Sequence, residues 1–252
     1  MCCFSGPVKD VSNTKIFTRL HDGRQAVVYQ MQFDAEAELA MVLPIPTPAG
    51  SAPDALTWVD LQGYGDLFDD LFRGFPQPRS KGERSLGSNG LTDEALEVVS
   101  VGSFDASFVP AVADFERLDA RFRLPAGVWD QLPQYADWGF AVFKLKPDHH
   151  TVHPMAFWFP TRTPEQLFFP TVHIHDGAVH PKAHFDHTLY CQLPEELAAP
   201  GPFAATWTES TGPASGFVNA EKARGLVDGD AHCYMRALHG ELANQDTLVA
   251  LS

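Results

Sequence analysis

The feature that most limits this chain is a succession of short strand-like segments with almost no helical pattern between them. Residues 14–20 (Thr-Lys-Ile-Phe-Thr-Arg-Leu) read as a strand, and His21-Asp22-Gly23-Arg24 carries an Asp-Gly turn signal. Residues 25–33 (Gln-Ala-Val-Val-Tyr-Gln-Met-Gln-Phe) then return as a second strand. A third, over 39–45, closes at Pro44, Pro46 and Pro48, which lack the N–H that a ladder needs. Further strands are expected at 95–101, 138–146, 153–159, 167–175, 184–193 and 203–209. Leu67, Phe68, Leu71 and Phe72 recur at three- and four-residue steps, so the spacing predicts a short amphipathic helix over 66–73. A second helix is expected from Pro110 to Phe122 and a helical patch near 218–224. The polar, breaker-rich run 76–92 reads as a long mobile loop. Strand following strand predicts one α+β domain over 1–252. It is mainly antiparallel β, with a two-sheet sandwich as its simplest arrangement and a few short helices.

Composition narrows the function classes. The chain has 252 residues, of which 44% are hydrophobic, so it carries enough apolar material for a substantial core. Its formal charge of −14 argues against nucleic acid, whose phosphates call for clustered Lys and Arg. It argues equally against an anionic membrane surface. No 18-residue apolar window suggests a spanning helix. Met-Cys-Cys-Phe-Ser-Gly-Pro lacks the basic start and apolar run of a secretory signal, so a cytoplasmic location is the expectation. Cys2 and Cys3 are adjacent, with Cα atoms about 3.8 Å apart across a trans peptide, too close for ordinary disulfide geometry.

The histidines are unevenly spread. Eight of eleven fall between 149 and 187. In Val172-His173-Ile174-His175 the two imidazoles share one face of an extended chain. On 184–191, His184, Asp186, Thr188 and Tyr190 share one face, and Phe185, His187, Leu189 and Cys191 the other. If these segments pair as a hairpin, His173, His175 and His184 converge on a metal ion. Asp186 would be a ligand or the group fixing a His tautomer. The ion would be a divalent transition metal, with Zn first and Cu or Fe as alternatives. An open position on it could activate water or dioxygen for an unknown small-molecule substrate, with Asp186 or Glu165 as base. His187 and Cys191, with Cys2 or Cys3, form a second candidate set, although His187 reads first as a packed core residue. His149, His150 and His153 read as turn residues, and His232, Cys233 and His239 as packing.

Two rival readings stand beside the metal. Removal of Met1 would expose Cys2 with its own α-amine as base, the arrangement of an N-terminal cysteine amidohydrolase, with Arg19, Asn219 or Asn244 to supply the oxyanion hole and a positioning charge. The other rival is a non-catalytic β-rich binding or structural module, with Cys2 and Cys3 as a reduced plug beside Phe4. Walker loops, dinucleotide-binding Gly turns, Gly-x-Ser-x-Gly elbows and His-Glu-x-x-His helices have no match in the sequence.

Several stretches resemble an uncharacterised bacterial family, domain of unknown function number 2330. They are Cys2-Cys3, the strand bearing Arg19 with its Asp22-Gly23 turn, Val28–Met31, Ala40–Pro46, Gly139–Leu145 and Pro154–Phe159. The resemblance implies a strand-rich layout. It implies no activity, so function has to come from the site residues.

Overall fold

Asp22 and Gly23 both take left-handed φ values, 48° and 70°. That is the two-residue turn whose twist suits a hairpin, and it joins β2 (Asp10–His21) to β3 (Arg24–Asp34) with His21 opposite Arg24. This hairpin is the middle of the larger of two main sheets. In the computed structural model, residues 3–76, 99–101, 104–146, 149–194 and 205–251 are described. The expected loop from 77 onward, and parts of the strands expected at 95–101 and 203–209, lie outside them.

The other strands are β1 (Cys3–Phe4), β4 (Leu39–Ile45), β5 (Thr57–Asp60), β6 (Val99–Val101), β7 (Phe104–Val109), β8 (Gly139–Leu145), β9 (His149–Thr151), β10 (Met155–Pro160), β11 (Gln166–Phe169), β12 (Lys182–Gln192), β13 (Thr208–Pro213), β14 (His232–Ala243) and β15 (Thr247–Ala250). The larger sheet runs β13-β14-β12-β2-β3-β10-β5, with β9 also on β3. The smaller runs β1-β4-β8-β7-β6, and β11 pairs with β15. Among these strands pairing is antiparallel except between β12 and β2, which run parallel. The expectation of a mainly antiparallel, helix-poor α+β fold therefore holds.

Alternation explains the burial. On β3, Val27, Tyr29 and Met31 face the smaller sheet and join Met41, Leu43, Phe143 and Phe157 in one core. Ala26 and Val28 face the other way, under Leu67, Phe68 and Leu71 of α1 (Leu67–Arg73) and Val218, Leu226 and Val227. A strand covered on both faces reads as the continuous apolar run seen at 26–29. Trp58 meets Phe143 edge-on at 5.4 Å between ring centroids, one of the contacts that tie the two sheets together.

The helix expected over 110–122 is instead two 3-10 turns, Val112–Arg117 and Ala120–Phe122, separated by extended Leu118. The reason is local. The Arg123 guanidinium donates to the carbonyls of Leu118, at 2.9 and 2.6 Å, and of Glu116, at 2.5 Å, taking acceptors that a continuous helix would use. The patch near 218–224 is likewise a set of turns. Of the strand expected at 167–175, only Gln166–Phe169 is regular, because the chain leaves its partner β15 beyond Thr247.

At Gly139 an added Cβ would lie 2.5 Å from Phe108 Cε2 and 2.6 Å from Thr47 Oγ1. Gly139→Ala should therefore destabilise the fold by about 1–3 kcal/mol through overpacking. Urea unfolding at neutral pH checks this, and a shift below about 0.5 kcal/mol would show that the Phe108 ring yields freely.

Candidate functional site

β12 decides where the histidines go. It pairs with β14 from Lys182↔Ala243 to Cys191↔Tyr234 and, on its other edge, with β2 from His187↔Thr14 to Gln192↔Arg19. Residues 172–175 do not form the expected hairpin with it. They pass under the sheet instead. Ile174 bridges Cys3 in parallel, and the Phe4 N–H donates to the Ile174 carbonyl at 2.9 Å. From the other side, Asn244 clamps His173. Its Oδ1 accepts the His173 N–H at 2.7 Å, and its Nδ2 donates to the His173 carbonyl at 2.9 Å. Asp246 accepts from the N–H groups of Thr171 (2.8 Å) and Val172 (3.0 Å) and from the Tyr135 hydroxyl (2.5 Å).

The clamp sets His173 against the inner face of β12. Its ring lies 4.3 Å from that of Phe185, 5.2 Å from that of His187 and 5.4 Å from that of His175. Interplanar angles of 24° to His187 and 16° to His175 make this a stack of three imidazoles in the order His175, His173, His187. Phe4 closes the His175 end edge-on at 5.5 Å.

Burial keeps the stack neutral. His173 and His187 are 5% and 0% exposed, and desolvation holds both far below the usual imidazole range. Burial pushes His175 down to about 4. The Asp186 N–H donates to His187 Nδ1 at 3.1 Å, which leaves the proton of that ring on Nε2. His175 Nε2 is buried with no hydrogen-bond partner among the described residues.

The face assignment on β12 was right, but the grouping of histidines across it was not. His184 is on the outer face, its side chain 73% exposed and 3.7 Å from Glu241, so it does not join His173 and His175. Asp186 shares that outer side and accepts the Asn13 N–H at 2.7 Å. Glu165 is exposed in the turn before β11, where its carbonyl accepts the Leu251 N–H. None of these three is placed as ligand or base to the imidazole pair. Among the described residues no group of three His, Cys, Asp or Glu side chains converges as a metal site. Cys2 lies outside the described residues. The groups proposed to serve it are scattered: Arg19 pairs with Asp228, the Asn219 N–H with the Tyr64 hydroxyl, and Asn244 with His173. Cys191 is sealed in the main core and Cys3 in a separate cluster, so they do not combine with His187. Burial drives the Cys191 thiol well up and Cys233 to about 12, which keeps both protonated. His153 lies 4.2 Å from the Phe104 ring and is packed rather than in an open turn.

The part of His187 in the stack was missed, although the signal was present, since it alternates with Phe185 on the inner face. The clamp from Asn244 and Asp246 left no local signal, because it comes from a turn some 70 residues further along the chain.

Comparison with known proteins turns on this arrangement of sheets. No family model matches the chain. A solved structure does: 99% of this chain aligns with 99% of the chain of baculovirus P35, at a TM-score of 0.50 and 14% identity. The chain shares its fold with baculovirus P35. P35 in its complex with caspase-8 also aligns, over 95% of this chain and 96% of that one, at a TM-score of 0.46 and 12% identity. Identity this low carries the fold alone. Among the described residues, no helix is long and apolar enough to cross a membrane.

The buried stack makes stability depend on pH. Unfolded, each of the three imidazoles takes a proton near pH 6.5; folded, His175 waits until about 4 and the other two until lower still. The stabilising difference is intact above 6.5 and is lost as pH falls toward 4. Asp246 works the other way, because burial raises its carboxyl to about 6, so the folded chain takes up that proton first. For these four groups the unfolded state near pH 5 then binds about two more protons, a contribution of about 2.7 kcal/mol per pH unit to the slope. Urea unfolding from pH 7 to 4.5 in EDTA should show it. His175→Phe should remove about one proton from the slope, and an unchanged slope would refute the assignment.

Proposed function

We propose that this protein is a non-catalytic, β-rich binding module whose partner is another protein, specifically a caspase. What carries the reading is the end-to-end likeness to P35, a protein captured in complex with caspase-8. On this view the two large sheets, read as a sandwich, form a rigid frame whose loops and edges present the contact surface. The dispersal of His184, Asp186 and Glu165 agrees with a frame of this kind. Light scattering after gel filtration of the full chain with purified caspase-8 tests it. Coelution with micromolar or tighter binding is expected. Separate elution of the two at about 50 µM each would overturn the partner assignment.

A second reading keeps a transition metal at His173 and His175. The observation in its favour is the buried His175 Nε2 without a hydrogen-bond partner among the described residues. Such an atom is satisfied by a metal ion as well as by a proton donor. Two imidazoles would need ligands from beyond this pair to complete a Zn, Cu or Fe shell. Elemental analysis after metal-replete expression decides it. About one metal per chain, lost in His173→Ala/His175→Ala, is the expected result, and less than about 0.2 per chain removes the reading.

A further inference from the structure

The geometry of the imidazole pair narrows which ion it can take. His173 and His175 share one face of an extended segment whose backbone is fixed from two sides. Asn244 holds the N–H and the carbonyl of His173, and the Phe4 N–H donates to the Ile174 carbonyl. The two ring centroids are 5.4 Å apart, with planes 16° from parallel. At metal–nitrogen bonds of about 2 Å, two imidazoles that share one ion stand about 5–6 Å apart between centroids. The pair therefore already has the separation of a shared ligand set. His175 Nε2 is buried and has no hydrogen-bond partner among the described residues. His175 itself is half-buried, which leaves an entry path at its end of the stack.

Neighbouring donors are engaged elsewhere. His187 lies beyond His173 in the stack, and its Nδ1 accepts the Asp186 N–H at 3.1 Å. Asp176 accepts the Ala178 N–H at 3.1 Å and lies 2.8 Å from His180 Nε2. His184 is exposed on the outer face of β12. Phe4 and Phe185 wall the pair, with ring centroids 5.5 Å from His175 and 4.3 Å from His173. Among the described residues, no third His, Cys, Asp or Glu completes a metal shell with these two.

Two neutral nitrogens in an apolar wall select among ions. Structural Zn calls for four ligands, and Zn and Fe both enter with two charges. The cost of stripping water from an ion rises with the square of its charge, so a divalent ion costs about four times as much to bury as a monovalent one. No carboxylate is placed here to offset that cost. Cu(I) carries a single charge, has a filled d shell, and is satisfied by two nitrogen ligands. Imidazole suits copper.

We infer that His173 and His175 hold one Cu(I) ion in a two-coordinate bis-imidazole site, walled by Phe4 and Phe185. The inference rests on the metal reading of this pair and fixes its ion and its shell. No change of oxidation state is involved: the ion arrives as Cu(I) and stays so.

Anaerobic titration of the full chain with tetrakis(acetonitrile)copper(I) against bicinchoninate, in parallel with zinc chloride, tests it. About one Cu(I) per chain is expected, with the X-ray absorption edge of two-coordinate Cu(I) and nitrogen as the only bonded scatterer. His175→Phe keeps a ring in the wall and should weaken binding at least tenfold. His184→Ala, on the outer face, should change it less than twofold. The spectrum of the unaltered chain decides the shell even where the His175 variant fails to fold. Sulfur in the shell would place the ion on a cysteine, three or four nitrogens would mean a different site, and equal losses in the two variants would move the ion off the pair. Each of these overturns the inference. Zinc at about one per chain that Cu(I) does not displace overturns the choice of ion and leaves the metal reading standing. Less than about 0.2 of either metal per chain removes both.

Discussion

The insertion of β12 between β14 and β2 is the constraint on which the rest of the molecule depends. With β14 along one edge and β2 along 187–192 of the other, residues 172–175 add no strand to β12. Their backbone groups are satisfied elsewhere, by Asn244, Asp246 and the Cys3–Phe4 strand. The imidazoles then have one place to go, which is the apolar underside of the sheet. The parallel run of β12 beside β2 is part of the same event. It brings a late segment against an early one.

Burial on two faces sets the chemistry of the interior. Rings with titratable nitrogens stand where neighbouring strands place Phe and Leu, and they keep those positions by staying uncharged. The thiols of Cys191 and Cys233 follow the same rule in the opposite chemical direction, protonated because burial disfavours the thiolate. The more polar side chains, such as Asp186, His184 and the carboxylates around Arg19, are on the outer face or at the strand ends, where water reaches them.

Much of the fold was legible because it is local. Period-two alternation fixed the faces of β3 and β12, three- and four-residue spacing fixed α1, and the Asp-Gly pair fixed the tightest turn. The site was less legible because its parts are distant. That β12 lies between β14 and β2 depends on pairings across more than 170 residues, which alternation on one strand cannot report. The Pro110–Phe122 pattern misled for a related reason. Its apolar spacing is helical, but the competing Arg123 guanidinium decides the backbone, and periodicity does not register a side chain that claims carbonyls.

The alternation at Phe185, Asp186 and His187 has a consequence for how β12 finds its place. Sliding the strand by one residue against β14 and β2 would turn every side chain over. The neutral ring of His187 would leave the core, and the carboxylate of Asp186 would enter it against two imidazoles that burial keeps uncharged. An unpaired carboxylate in such a setting is far costlier than a misplaced leucine. A purely aliphatic strand would tolerate a shifted neighbour with little complaint. Here the polar groups divided between the two faces act as a proofreading mark, so that only one of the possible alignments can close the sheet.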